Sequence, residues 1–217
     1  MKKNLFTILL ITAITTSVIG CKDKAKEATT TAAEEVVEVT PEAKFVADLG
    51  ASTIEWKGFK PTGSHNGTIN IESGILNTTD GKISGGTFLI NMSSLEVKDI
   101  PAEDEGNAKL AGHLKGADFF DVEKHPSAAF EITGLEEVDG KMMLSGNLAL
   151  KDVKNNVTFP VSVTQDGDAI SLVSETFTID RSKWNVKYGS KSFFDNLGDK
   201  FINDDIELKV TLKANKS

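Results

Sequence analysis

Cysteine is almost absent from this sequence: Cys21 is the only one in 217 residues. A lone cysteine excludes an intrachain disulfide framework, so the hydrophobic core must hold the fold. The three histidines have no partner at metal-ligand spacing. The sequence also lacks a G-x-S-x-G elbow and the glycine-rich loops that bind nucleotide phosphates. We therefore expect a protein without a metal, a cofactor or catalytic residues.

Positive charge is also scarce. The chain has 24 Lys and Arg residues against 32 Asp and Glu residues, a formal net charge of -8. Nucleic-acid binding requires concentrated positive charge, so this balance excludes nucleic acid as an expected partner. It also argues against adsorption to anionic lipid through charge alone.

The N-terminus has the pattern of a secretory signal. Lys2 and Lys3 precede an uncharged apolar run from Leu5 to Gly20, which is shorter than the roughly 20 residues that a membrane-spanning helix needs. The run ends in Val-Ile-Gly-Cys, which resembles a lipobox. We predict that residues 1–20 form a signal peptide and that Cys21 is lipidated, so that acyl chains attach the protein to a membrane. Removal of residues 1–20 leaves 22 basic and 32 acidic side chains. The expected location is the cell envelope, on the periplasmic or surface face of the outer membrane.

Residues 22–44 contain no aromatic side chain and are rich in Thr, Ala and Glu. This composition is typical of a solvated segment. We predict that residues 21–44 comprise the lipidated cysteine and a flexible tether, which could span about 75 Å when fully extended.

Short alternating apolar runs begin at Phe45. Ile54 and Trp56 share one face of a predicted strand, and the last strand alternates in the same way from Ile206 to Leu212. Another strand is predicted from Ile170 to Ile179, with Val173, Phe177 and Ile179 together on its apolar face. About eight such runs predict one all-β domain over residues 45–217, built of antiparallel strands with one apolar face.

Two segments interrupt this alternation. Asn107 to Leu114 and Ser190 to Leu197 predict one or two short helices in connections. Strands with one apolar face form either a sandwich or a closed barrel, and closure is favoured because it removes the sheet edges. An eight-stranded barrel has an interior that side chains fill or that holds one small ligand. Strand glycines suit sharp bends or close backbone approaches, and they are Gly58, Gly67, Gly86 and Gly146.

Four stretches then resemble the YceI-like family, whose domains are lipocalin-like barrels. Residues 113–131, HLKGADFFDVEKHPSAAFE, are similar to its helix and "DFFDvekyPtatF" signature, and residues 146–154, GNLALKDVK, to its "GtLtlhGvtk" hairpin. Residues 177–184, FTIDRSKW, resemble "f.inRsdfGv", and residues 203–207, NDDIE, resemble the final strand. Asp152 and Asn185 stand where the family commonly has glycine. Both residue types tolerate left-handed backbone, so we expect these turns to persist.

The resemblance implies an eight-stranded lipocalin-like barrel that binds an apolar lipid, such as a polyisoprenoid or quinone-like amphiphile, without catalysis. The side chains expected to line it are Ile54, Trp56, Ile69, Phe88, Ile90, Phe130, Ile132, Leu148, Phe177 and Trp184. Arg181 and His65 are the expected head-group residues, although Arg181 could instead form an ion pair with Asp180 or Asp121.

Two other functions stay open at this point. One is an envelope scaffold with a filled barrel. The other is a lipid-acting enzyme, which would need His65 or His113 beside a carboxylate at the barrel mouth. Burying the polar end of a ligand between two mouths would be one reason for such a barrel to form a homodimer.

Overall fold

The computed structural model describes residues 25–37 and 39–217. The predicted signal peptide and the lipidation of Cys21 lie outside these residues. The strands are β1 (Lys26–Glu27), β2 (Thr29–Ala32), β3 (Ala43–Ala47), β4 (Thr53–Lys60), β5 (Gly63–Thr79), β6 (Lys82–Val97), β7 (Ser127–Val138), β8 (Lys141–Leu150), β9 (Val153–Asp166), β10 (Ala169–Ser174), β11 (Phe177–Asp180) and β12 (Asp205–Lys216). One helix, α1 (Glu105–Lys115), follows β6, and two 3-10 turns occupy Arg181–Trp184 and Gly198–Lys200.

Eight strands form a closed antiparallel ring. Its order is β4, β5, β6, β7, β8, β9, β10 and β12, and β12 then pairs with β4 to complete the circle. In the closing pair, Val210 lies opposite Ile54 and Leu208 opposite Trp56. Ile54 and Trp56 are both buried, as their alternation predicts. The all-β prediction and the eight-stranded ring are confirmed.

The segment after β9 departs from the prediction. Ile170 to Ile179 forms two strands, because Glu175 and Thr176 interrupt the pairing. In β10 the buried apolar side chains are Ile170 and Leu172, whereas Val173 is only partly buried. The predicted shared face of Val173 and Phe177 is therefore wrong, because alternation starts again after the interruption.

One of the two predicted helices exists. The Asp104 carboxylate caps α1 by accepting a hydrogen bond from Gly106 N, and Leu114 is buried beneath the helix. The helix predicted over residues 190–197 is wrong, since these residues form turns. The Ser190 hydroxyl donates to Asp204 Oδ2 at 2.8 Å, and Asn196 has a left-handed φ of 62°.

Several of the predicted special backbone positions have clear physical causes. A Cβ on Gly146 would lie 2.3 Å from Cζ of Phe130, so the Phe130 ring occupies the space above this glycine. Asp152 and Asn185 have φ values of 61° and 59°, so both adopt the left-handed backbone expected where the family has glycine. A Cβ on Gly58, by contrast, would meet no atom within 4 Å, so no close approach explains this glycine.

The N-terminal strap, residues 26–34, lies against the barrel. β1 pairs in parallel with β11, and β2 pairs antiparallel with β9. Ala28 is buried, and its N–H donates to the carbonyl of Thr178 at 2.8 Å. This arrangement differs from the flexible tether predicted over residues 21–44. Backbone hydrogen bonds hold the strap, and they require no apolar pattern that the sequence could display.

Candidate ligand-binding cavity

The barrel encloses two adjoining cavities. The main cavity has a volume of about 280 Å³ and lies beneath α1, and the far cavity has a volume of about 90 Å³. Five side chains line both of them, namely Ile54, Ile90, Leu148, Ile179 and Leu208. The two cavities therefore lie in series along the barrel interior. Their walls are almost entirely apolar.

Nine of the ten predicted lining residues contribute to these walls. Trp56 and Ile69 line the main cavity, Phe88, Phe130, Ile132 and Phe177 line the far cavity, and Ile54, Ile90 and Leu148 line both. Trp184 does not line either cavity. It is fully buried in the first 3-10 turn, where its Nε1 donates to the carbonyl of Leu148 at 2.9 Å. Its role in the fold is to fix this turn to β8.

Strand alternation misses the part of the cavity wall that comes from connections. Leu110, His113 and Leu114 extend from α1, and Phe119 and Phe120 follow it in the chain. His113, Leu114, Phe119 and Phe120 fall within the stretch of strongest family resemblance, and Leu110 and Leu114 have helical spacing. The family motif and the helical spacing could have identified these residues, although neither signal shows that their side chains line the cavity.

Polar groups collect at the mouth of the main cavity. His65 lines the mouth, and its Nδ1 lies 2.8 Å from Asp99 Oδ2. The other carboxylate oxygen of Asp99 accepts from Asn66 N at 2.9 Å. Burial acts to raise the pKa of Asp99, but the hydrogen bonds from Asn66 and His65 outweigh it and hold the pKa below its ordinary value. Asp99 thus fixes the orientation of the imidazole.

A second histidine faces the cavity from α1. The His113 ring packs edge-on against Tyr188, with 4.7 Å between ring centroids, and against Phe119 at 5.6 Å. Lys60, at the end of β4, is exposed at the same mouth. The mouth therefore carries two imidazoles and one ammonium group around an apolar interior.

Arg181, the only arginine of the chain, lines the main cavity, but its guanidinium makes its polar contacts within the protein. Its side chain is 1 % exposed, and Nε and Nη2 donate to the carbonyls of Asn203 and Ile202, each at 3.1 Å. Nη1 donates to the carbonyl of Val186. Burial lowers the pKa of Arg181, while the Asp204 and Asp180 carboxylates act to raise it. Each nitrogen of the guanidinium already has a protein acceptor.

The ion-pair partner of Arg181 is neither of the two predicted carboxylates. Its Nη2 lies 3.3 Å from Asp204 Oδ1. Asp180 instead caps the first 3-10 turn by accepting from Ser182 N at 2.9 Å, and Asp121 pairs with Lys124. Arg181 therefore joins β11 to the segment that precedes β12.

Within residues 25–37 and 39–217, no three His, Cys, Asp or Glu side chains are grouped in a way that could hold a metal ion. In the same residues, no helix has the length and apolar character needed to cross a membrane.

Comparison with protein families gives one match that spans most of the chain. The model of the YceI-like domain matches residues 37–214. Among curated proteins, a UPF0312 protein of Azotobacter vinelandii is 39% identical over 61 residues, which are 28% of this chain and 30% of the relative. Protein YceI of Salmonella arizonae is 32% identical over 65 residues, 30% of this chain and 34% of the relative. The chain spans about a third of the length of the curated relatives it matches.

Two solved structures have the same fold. BcnA of Burkholderia cenocepacia has a TM-score of 0.60 and 22% identity, and the match covers 78% of this chain and 99% of BcnA. A polyisoprenoid binding domain from Saccharophagus degradans, implicated in plant cell wall breakdown, has a TM-score of 0.61 and 15% identity. That match covers 81% of this chain and 100% of the domain.

Proposed function

The chain belongs to the family of YceI-like domains, and we propose that its barrel binds the apolar chain of a lipid such as a polyisoprenoid or a quinone-like amphiphile. The observation that carries this proposal is the pair of apolar cavities in series, which together suit an extended chain better than a compact ligand. The polyisoprenoid binding domain of similar fold supports the same class of ligand.

The energetics favour such a ligand. Burial of apolar surface contributes about 25 cal/mol per Å², so a few hundred Å² give several kcal/mol before the ordering costs of binding. Binding would store, carry or sequester the lipid without changing it. A filled-barrel scaffold would lack an interior void, whereas the main cavity of about 280 Å³ lies close to the lower end of small-molecule sites at roughly 300 Å³.

The mouth favours a neutral polar head group. Arg181 offers no unoccupied guanidinium fork to a diphosphate, since its nitrogens already meet protein acceptors. His65 and His113 are suited to hydrogen bonds with an alcohol or a quinone oxygen. We therefore infer that His65, but not Arg181, contacts the head group.

Membrane attachment through Cys21 completes the proposal. A long apolar ligand has little solubility in water, so a binder of such ligands works best where the lipid is present. An acyl anchor at Cys21, in the cell envelope, would keep the barrel there. Metabolic labelling with a palmitate analogue tests this attachment. The Cys21→Ser chain should incorporate no label and should no longer be recovered in the membrane fraction.

The test of ligand binding uses two neighbouring positions of β6. Ile90 lines both cavities, whereas Leu89 lies on the outer surface with 38% exposure. Protein purified from its host, extracted and analysed by mass spectrometry should release an isoprenoid or related lipid. Ile90→Trp should lower lipid occupancy at least tenfold, and Leu89→Trp should leave it unchanged. A barrel that is repeatedly ligand-free and takes up no isoprenoid would overturn the proposal.

A lipid-acting enzyme is the second candidate, because His65 does lie beside a carboxylate at the mouth. The described residues that line the main cavity include no Ser, Thr, Cys, Asp or Glu. An imidazole alone could act only as a base toward water. Loss of lipid turnover in His65→Ala, with lipid binding retained, would favour this candidate over a carrier.

A further inference from the structure

The strap fills a seam in the barrel wall. In the ring, β10 joins β9 to β12 only through residues 161–166 of β9. Toward the N-terminal end of β9, residues 155–158 instead face β11. These two segments do not pair with each other in the described chain, and the gap between them is the seam. The strap lies between them: residues 26–28 bond to β11, and residues 29–32 pair with β9.

Contacts at the two ends limit the length of this seam. At one end, Glu175 N donates to the carbonyl of Pro160 at 3.1 Å. At the other end, Asn155 Nδ2 donates to the carbonyl of Lys183 at 2.9 Å. Between these two contacts, the strap supplies the backbone hydrogen bonds that connect β9 with β11.

The seam opens toward the proposed ligand site. Val157 and Phe159 on β9, and Phe177 and Ile179 on β11, all line the far cavity. The rings of Phe159 and Phe177 stack across the seam with 4.1 Å between centroids and an interplanar angle of 7°. On the inner side of the strap, the stacked Phe159 and Phe177 rings therefore separate the seam from the far cavity.

Side chains attach the strap only weakly. Ala28 is its one buried apolar residue, and most of its other side chains are exposed. Thr30 Oγ1 is buried without a hydrogen-bond partner. An element with so few buried apolar contacts opens at a lower free energy than the rest of a fold. Besides the backbone, Asn147 holds Glu34 by two hydrogen bonds, and Lys183 Nζ lies 3.5 Å from Glu27 Oε1.

We propose that the strap is a releasable wall strand whose departure opens a lateral gate between β9 and β11 for the apolar ligand. The proposal rests on the proposed function, because a gate requires a ligand to admit. A chain-like lipid could then enter the barrel sideways, with its tail passing the Phe159–Phe177 pair, while the ring of eight strands stays closed above the seam.

The experiment compares a released strap, a locked strap and a matched control. Ala28→Asp places a carboxylate at the one buried position of the strap, and Ala32→Asp makes the same change at an exposed position. Thr29→Cys with Thr158→Cys, a cross-strand pair, locks the strap to β9 by a disulfide whose formation is verified by mass. Cys21→Ser is included in all variants. The probe is the neutral fluorophore N-phenyl-1-naphthylamine, followed by stopped flow.

Ala28→Asp should raise the rates of probe uptake and release at least fivefold and speed hydrogen exchange in residues 155–158 and 177–178. Ala32→Asp should match the parent. The oxidised disulfide variant should slow both rates at least fivefold, and a reductant should restore them. If Ala28→Asp does not fold, the disulfide variant decides alone.

The outcomes separate the two proposals. A parent chain that binds the probe, with rates unchanged in both variants, overturns the gate and leaves the binding function standing. A parent chain that binds neither the probe nor an isoprenoid overturns the binding function, and the gate with it.

Discussion

The side-chain amide of Asn147 holds the backbone of Glu34 through both of its polar groups. Asn147 Oδ1 accepts from Glu34 N at 2.9 Å, and Nδ2 donates to the carbonyl of Glu34 at 2.8 Å. Asn147 is only 2% exposed, and Asn156 Nδ2 also donates to its Oδ1. A polar residue of β8 is thus buried by the strap that it binds.

Removing this amide should destabilise the protein and loosen the strap. We expect Asn147→Ala to lower the free energy of unfolding by about 1–3 kcal/mol, because buried hydrogen-bonding groups lose their partner. Urea denaturation measures this change, and hydrogen exchange should become faster in residues 29–34. Asn70→Ala, at an exposed position of β5, is the control and should change stability by about 0.5 kcal/mol or less. Equal effects of the two substitutions would contradict the prediction.

A methyl group at position 146 should disturb the far cavity. Gly146→Ala places a Cβ within the van der Waals radius of the Phe130 ring, and Phe130 lines that cavity. We expect a loss of about 1–3 kcal/mol in unfolding free energy, typical of overpacked cores. Gly134→Ala on β7 is the matched control, since nothing lies within 4 Å of a Cβ there. Thermal unfolding of both variants tests this, and a stable Gly146→Ala would show that the ring moves freely.

Substitution of Arg181 should lower stability rather than ligand affinity alone. Lysine cannot reach the carbonyls of Val186, Ile202 and Asn203 at once, so Arg181→Lys leaves buried acceptors unpaired. We expect a loss of about 1–3 kcal/mol for each buried carbonyl that is left without a donor. Denaturant unfolding measures it. An Arg181→Lys chain with parental stability but weaker lipid binding would instead assign Arg181 to the head group.

The pKa of Asp99 predicts a pH dependence. Burial acts to raise this pKa, but hydrogen bonds from Asn66 and His65 hold it below the ordinary value of 3.8. The stabilisation is therefore fully present above about pH 3.8 and is lost as the pH falls through the lower pKa of the folded state. Asp99→Asn should remove this contribution. The stability difference between the two chains should shrink from pH 5 to pH 2, and a constant difference would contradict the assignment.

The ring of strands was accessible to sequence analysis because period-two alternation directly reports which side chains face the core. This alternation identifies the nine predicted residues that line the two cavities, Ile54 and Leu148 among them. It failed at Val173 because the two-residue interruption before Phe177 changes which face points inward. It failed at Trp184 because this residue lies in a 3-10 turn, to which strand alternation does not apply.

The mouth and the strap were less predictable, for different reasons. Arg181 could be identified as a buried charge from its place after an apolar strand, but its acceptors are backbone carbonyls, which every residue possesses. The strap is held mainly by backbone hydrogen bonds, and its Thr- and Ala-rich composition resembles that of a solvated linker. Sequence patterns report apolar burial well and backbone pairing poorly.

The position of the strap also determines how far an anchored barrel could stand from its membrane. In the described residues, the first to pair with the barrel is Lys26, and only five peptide steps would separate an acylated Cys21 from it. Their full extension is about 17 Å, against about 75 Å for the whole of residues 22–44. The barrel would then diffuse in two dimensions within a thin layer above the lipid headgroups. Encounters with lipid would depend on its surface density in the membrane rather than on its vanishing concentration in water.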